Sequence, residues 1–195
     1  MEVVESVFSY LEGTNCYCCD ESAAIIREKV SQLPLDAVHL IGTGDYHYVS
    51  LFYLERISHP FRLVLFDNHP DDQKGTLMEG MLSCGSWVGE ARRLEMLRDS
   101  VWIRRVEDLA LLDPSGLPLY LSVDLDVLDE TYASTNWDQG TMSLEELCCA
   151  IDTLKSRGSI IGVDICGGLT IEKGASSEDL AKNKAAEEAL LNLFR

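Results

Sequence analysis

Phe61-Arg62-Leu63-Val64-Leu65-Phe66-Asp67-Asn68-His69-Pro70-Asp71-Asp72 runs from a largely apolar strand straight into carboxylates and an imidazole. The same transition occurs twice more. Ala37-Val38-His39-Leu40-Ile41 leads into Gly42-Thr43-Gly44-Asp45-Tyr46-His47, and Leu119 to Val123 leads into Asp124-Leu125-Asp126. Short, continuous apolar runs of this length read as strands buried on both faces, and Val101-Trp102-Ile103 and Ile160 to Ile165 add two more. Helical spacing separates them. Glu21 to Leu33 follows Asp20 as a potential N-cap, Ser143 opens a helix toward Ser156, and Ser177 to Phe194 closes the chain. Alternation of strand and helix predicts a mostly parallel sheet covered on both faces, in which ligands gather beyond the carboxyl ends of the strands. The three polar clusters should therefore meet on one edge. Residues 72–82 and 129–142 are turn-rich and read as loops.

The 195 residues fit one domain at the usual ~150 residues each. With 46% hydrophobic and 25% charged residues, the chain can bury a real core. A formal charge of −17 repels phosphate backbones and anionic bilayers, so nucleic acid and membrane are poor partners. No stretch approaches the ~18 apolar residues of a span, and the acidic N-terminal segment lacks the positive charge of a signal peptide. The seven cysteines include the adjacent pairs 18–19 and 148–149, which is not disulfide-framework spacing. Reduced thiols and a cytoplasmic location are expected, with no zinc site at Cys16-Tyr17-Cys18-Cys19.

Asp67, His69 and Asp71 alternate, so on an extended chain they project to one side, and Asp124 and Asp126 repeat the pattern. Carboxylates packed this densely repel unless a counter-charge intervenes. Two divalent cations balance four aspartates, and oxygen donors with imidazoles suit Mn²⁺. Metals ~3.5 Å apart can share a hydroxide able to attack a polar carbon centre.

In this order the three segments, with Ser122-Val-Asp124-Leu-Asp126-Val-Leu-Asp129 as the last, resemble the ureohydrolase (arginase and agmatinase) superfamily. The resemblance implies a three-layer arginase-like α/β fold over residues 1–195 with Ile161 to Ile165 in its last core strand. It implies two Mn²⁺ ions, other divalent metals being possible. His47, Asp67, Asp71 and Asp124 would hold one ion and His69, Asp67, Asp124 and Asp126 the other. Asp71 would also orient the hydroxide, which attacks a guanidinium or amidine carbon. A homo-oligomer is expected by the same analogy.

The chain departs from the family at several positions. Tyr46 is inserted before His47. Cys84, thirteen residues beyond Asp71, stands where arginases have a proton-shuttling histidine. Gly167 replaces the glutamate that grips the guanidinium, Glu130 replaces a proline, and the chain is much shorter than a typical arginase. The Thr135–Gln139 loop lines the substrate site in relatives, making Asn136 and Asp138 candidates to bind substrate in the glutamate's place. These departures disfavour free arginine and suit a larger guanidino substrate, such as arginine within a peptide. Two alternatives compete with this hydrolase: a metal-binding relative that has lost turnover, and a haloacid-dehalogenase-like phosphatase built on Asp124 and Asp126. His39, His59, Trp87 and Trp137 read as structural, with core packing expected for both tryptophans.

Overall fold

The structure is a computed structural model that describes residues 1–74, 81–112 and 116–195. Residues 75–80 of the expected 72–82 loop lie outside the described residues. Six strands form one wholly parallel sheet: β1 (Glu2–Glu5), β3 (Ala37–Gly42), β4 (Phe61–Phe66), β6 (Leu97–Ile103), β7 (Leu119–Asp124) and β8 (Ile160–Cys166). Their spatial order is β1-β3-β8-β7-β4-β6, so β3 and β4, separated in the chain by one short helix, flank the central pair β8 and β7. The carboxyl ends of these four strands border one crevice. A two-residue ladder of β2 (Tyr17–Cys18) with β5 (Leu82–Ser83) brings Cys16 and Cys84 together at its rim, joined by a 2.9 Å bond from the Cys84 amide to the Cys16 carbonyl.

Helices cover both faces. α1 (Asp20–Ser31), α2 (Val49–Leu54) and α3 (Trp87–Ala91) pack with Phe61, Leu63 and Leu65 of β4, whereas α4 (Leu144–Arg157) and α5 (Ser177–Asn192) pack with Val64 and Phe66 of the same strand. Period-two alternation in β4 thus feeds two cores, the three-layer arrangement expected from the sequence. α4 and α5 start where the sequence places them. The hydroxyls of Ser143 and Ser176 accept the amides of Glu146 and Asp179, whose carboxylates return the bond. Asp20 is a correction: Cys19 holds the N-cap position of α1, with no side-chain cap, and Asp20 sits in the first turn. α2 and α3 escape a periodicity reading because they are short, and every residue of α2 is buried.

No helix among the described residues is long and apolar enough to cross a membrane. All seven cysteines are free thiols.

Candidate metal centre

The site is built where four strands end. Beyond β3, the chain makes a 3-10 turn over Gly44–Tyr46 that absorbs the extra residue and delivers His47 to the crevice with 1% exposure. Beyond β4, Asp71 takes a left-handed conformation at φ 45°, an uncommon backbone state for a residue with a side chain. Beyond β7, residues Leu125–Val127 form another 3-10 turn, in which Asp124 Oδ1 accepts the amide of Asp126 at 2.9 Å. The expected extended alternation of 67–71 and 124–126 is therefore corrected. Turns rather than pleats converge the carboxylates, because both strands stop before or at the first aspartate.

His47 Nδ1 lies 3.1 Å from Asp67 Oδ2, 3.1 Å from Asp71 Oδ2 and 3.6 Å from Asp124 Oδ2. Its other nitrogen, Nε2, is 2.7 Å from Ser122 Oγ, and that hydroxyl donates to Asp164 Oδ1 at 2.6 Å. A hydroxyl has one proton. With it committed to Asp164, Ser122 accepts from Nε2–H, leaving Nδ1 as the nitrogen that faces the carboxylates. His69 Nδ1 stands 2.8 Å from Asp126 Oδ2 and 3.5 Å from Asp67 Oδ1. The His69 and Asn68 amides donate to Asp67 and Asp126, at 2.6 and 2.9 Å. The Trp87 indole donates to Asp71 Oδ2 at 2.7 Å, and its ring lies 4.9 Å from that of His47.

The electrostatics are those of buried carboxyl groups crowded around two imidazoles. Burial and the neighbouring Asp126 and Asp67 push the Asp124 carboxyl well above its usual range. Burial likewise raises Asp126. Hydrogen bonds that His69 donates to Asp126 and Asp67 raise its imidazole to about 10. Burial opposes protonation of His47, yet Cys166 and the carboxylates of Asp67 and Asp71 outweigh it and raise that imidazole well above 6.5.

Among the described residues, three groups have donor atoms close enough to hold an ion: His47, Asp67 and Asp71; Asp67, His69 and Asp126; and His47, Asp124 and Cys166. All six residues expected to ligate are thus brought together. Cys166 was not anticipated; its place at the end of a strand beside the family's missing glutamate was the available signal. The donor set, two imidazoles and shared carboxylates, fits divalent cations and accounts for carboxyl groups otherwise forced together.

A cavity of about 250 Å³ opens over these groups, walled by Cys16, Tyr17, Gln73, Cys84 and Trp137. Cys84 therefore faces the site, and burial pushes its thiol up. Trp137 corrects the expectation of core packing: it is 41% exposed, its ring meets His69 edge-on at 6.1 Å, and its indole donates to Asp45. Trp87 is fully buried as expected. Asn136 donates to Asp45 Oδ1 at 2.9 Å, and Lys173 pairs with Asp45 Oδ2 at 2.6 Å. The Asp138 side chain is exposed outside the cavity wall, while its carbonyl receives the Asn68 amide. His39 stacks on Tyr53 within the core, and His59 is exposed away from the site.

Gly167 has φ 103°, and a Cβ there would come within 2.0 Å of Asp124 Oδ1. No side chain fits. The replacement of the family's glutamate is thus built into the backbone.

No family model matches the chain. An uncharacterized protein of Thermotoga maritima is 35% identical over 144 residues, 67% of this chain and 57% of the relative, so the chain spans little more than half of that protein. Solved structures share the fold at lower identity. An agmatine ureohydrolase from Thermoplasma volcanium superposes with a TM-score of 0.67 at 15% identity, covering 99% of this chain and 88% of the other. A hypothetical agmatinase from Burkholderia thailandensis gives 0.65 at 20%, covering 92% and 68%. Proclavaminate amidino hydrolase from Streptomyces clavuligerus gives 0.62 at 16%, covering 87% and 68%. The chain shares its fold with these structures.

Proposed function

We propose that this chain, with its ureohydrolase fold, is a binuclear metal hydrolase that cleaves a C–N bond of a guanidino or amidine group. The observation that carries this reading is Asp67, whose two oxygens face different imidazoles, Oδ2 toward His47 and Oδ1 toward His69. A carboxylate so placed would help to hold an ion on each side, and the oxygen-rich set would suit hard divalent cations, manganese among them. When bound, such a pair supplies Lewis acidity and lowers the pKa of water.

The protein's own groups position the reaction. Asp71, fixed by the Trp87 indole, orients the attacking water by accepting its hydrogen bond. Trp137 offers an aromatic face to a planar cation entering the cavity. Asn136 and Asp138 are exposed beyond the cavity wall on either side of Trp137 in the chain, where the Asp138 carboxylate would meet the part of a substrate that extends out of the cavity. Cys84 keeps its proton at neutral pH and can donate it to the departing amine as the C–N bond breaks. A cavity without the inner glutamate suits a substrate held from outside, such as an arginine side chain in a peptide, in a cytoplasmic setting.

The pairing of Asp124 and Asp126 with the 67–71 group favours this over a phosphatase, which would leave Asp67, His69 and Asp71 without a task. Metal analysis combined with urea release tests the proposal. Two equivalents of metal with product from arginyl peptides, agmatine or arginine supports it. Bound metal without product from any of them favours a binding protein, and phosphate release from a generic ester favours the phosphatase.

A further inference from the structure

We propose that the Cys166 thiol is a ligand to the ion held by His47, so that this position takes a thiophilic divalent ion such as zinc or cobalt in preference to manganese. The inference rests on the metal-centre reading above and adds a sulfur donor to it. Cys166 closes β8, in register with Asp124 at the end of β7 on one side and with Gly42 of β3 on the other. Its Sγ lies 3.2 Å from Asp124 Oδ2, the same oxygen that stands 3.6 Å from His47 Nδ1. One nitrogen of His47, one oxygen of Asp124 and the sulfur lie within 4.8 Å of one another. That spacing fits a single ion at ordinary bond lengths of ~2.0–2.3 Å.

The open nitrogen is Nδ1, since Nε2 is committed to Ser122. Nδ1 also faces Asp67 and Asp71, so the sulfur joins an existing set of nitrogen and oxygen donors rather than forming a separate site. The backbone encloses the shared carboxylate. A Cβ on Gly44 would sit 2.9 Å from Asp124 Oδ2, which leaves the Cys166 thiol as the side chain beside that oxygen from β8. A free cysteine ordinarily packs as a small hydrophobe; this one is buried in the apolar cluster and also directs its sulfur at an ionisable oxygen. On loading, the S–H bond breaks heterolytically, the proton passes to solvent, and sulfur donates its retained pair to the ion. Soft sulfur favours zinc, iron and cobalt over manganese.

Cobalt(II) loading of the metal-free protein tests this. The wild type is expected to bind two equivalents and show a near-ultraviolet sulfur-to-cobalt charge-transfer band. Cys166→Ser should bind cobalt without the band, whereas Cys16→Ser and Cys84→Ser, at the two thiols that line the cavity, should retain it. In competition, the wild type should prefer zinc to manganese by about tenfold more than Cys166→Ser does. Bound cobalt without a band, or a band that survives Cys166→Ser, overturns the sulfur ligand and leaves the metal centre standing. Failure to bind cobalt, zinc and manganese overturns the centre itself. Should the serine variant not fold, X-ray absorption of the zinc-loaded wild type decides the matter: a sulfur shell at ~2.3 Å is expected, and a purely nitrogen and oxygen shell overturns it.

Discussion

Ser122 Oγ lies 2.7 Å from His47 Nε2, across 75 residues of chain, and so determines which nitrogen of that imidazole faces the carboxylates. The hydroxyl passes on to Asp164, whose carboxyl burial raises to about 6. Ser122→Ala removes the acceptor for Nε2–H without opening a large space. Metal affinity should fall about 10-fold or more while the fold survives, as for other partners that orient ligating histidines. Titration calorimetry alongside thermal melting separates the two effects; unchanged affinity removes Ser122 from the site's design.

Asp124 faces His47 through Oδ2 and accepts the Asp126 amide through Oδ1. Asp124→Asn should abolish binding of both metals and all hydrolysis. Two tightly held ions in the variant would count heavily against the ligand set.

Gly167→Glu restores the family's residue type in sequence and should not restore its function. The side chain would collide with Asp124, and the φ of 103° alone costs a non-glycine residue about 1–3 kcal/mol. A lowered melting temperature and loss of metal are expected, with no gain of arginine hydrolysis. A stable, metal-replete, arginine-cleaving variant contradicts the steric account.

Trp137→Ala and Asp138→Ala probe the rim. Loss of an exposed aromatic face should raise KM for a guanidino substrate by roughly 5-fold, about 1 kcal/mol, with a smaller change in kcat. Asp138→Ala should raise KM as well if its charge meets the substrate. An unaltered KM takes that residue out of the site.

Metal uptake should depend on pH in a defined direction. In the metal-free protein His69 is raised to about 10 by Asp126 and Asp67 and so holds its proton at neutrality, and burial raises Asp124. Binding must expel the His69 proton, and affinity should therefore rise with pH. Calorimetry in buffers of different ionisation enthalpy will read the release. The same shift sets the stability of the metal-free state. A histidine raised from 6.5 to about 10 contributes fully below pH 6.5 and loses that contribution as pH rises through about 10. The melting temperature of the metal-free protein should fall over that window, and metal should remove the decline. A flat profile in metal-free protein contradicts the shift.

The runs that form β3, β4, β7, β8 and the end of β6, the two capped helices and the six polar residues that meet at the crevice were legible in the sequence, whereas β1, β2 and β5 were not, because burial and capping impose local patterns: apolar runs of strand length, Ser143 three residues before Glu146, and acids directly after strands. What lay beyond it follows from contacts between distant segments. The short buried α2 carries no amphipathic period, the turns that aim His47 and Asp126 are set by packing, and the exposure of Trp137 depends on a cavity wall contributed by β2, β5 and their flanks. Cys166 and Asp124 stand 42 residues apart, and only pairing of β7 with β8 brings sulfur against carboxylate. Composition and periodicity thus determined the layers and the chemical type of the donors. The geometry among those donors was decided by strand order and register, because which strand ends are neighbours is a property of the whole sheet and of no single segment.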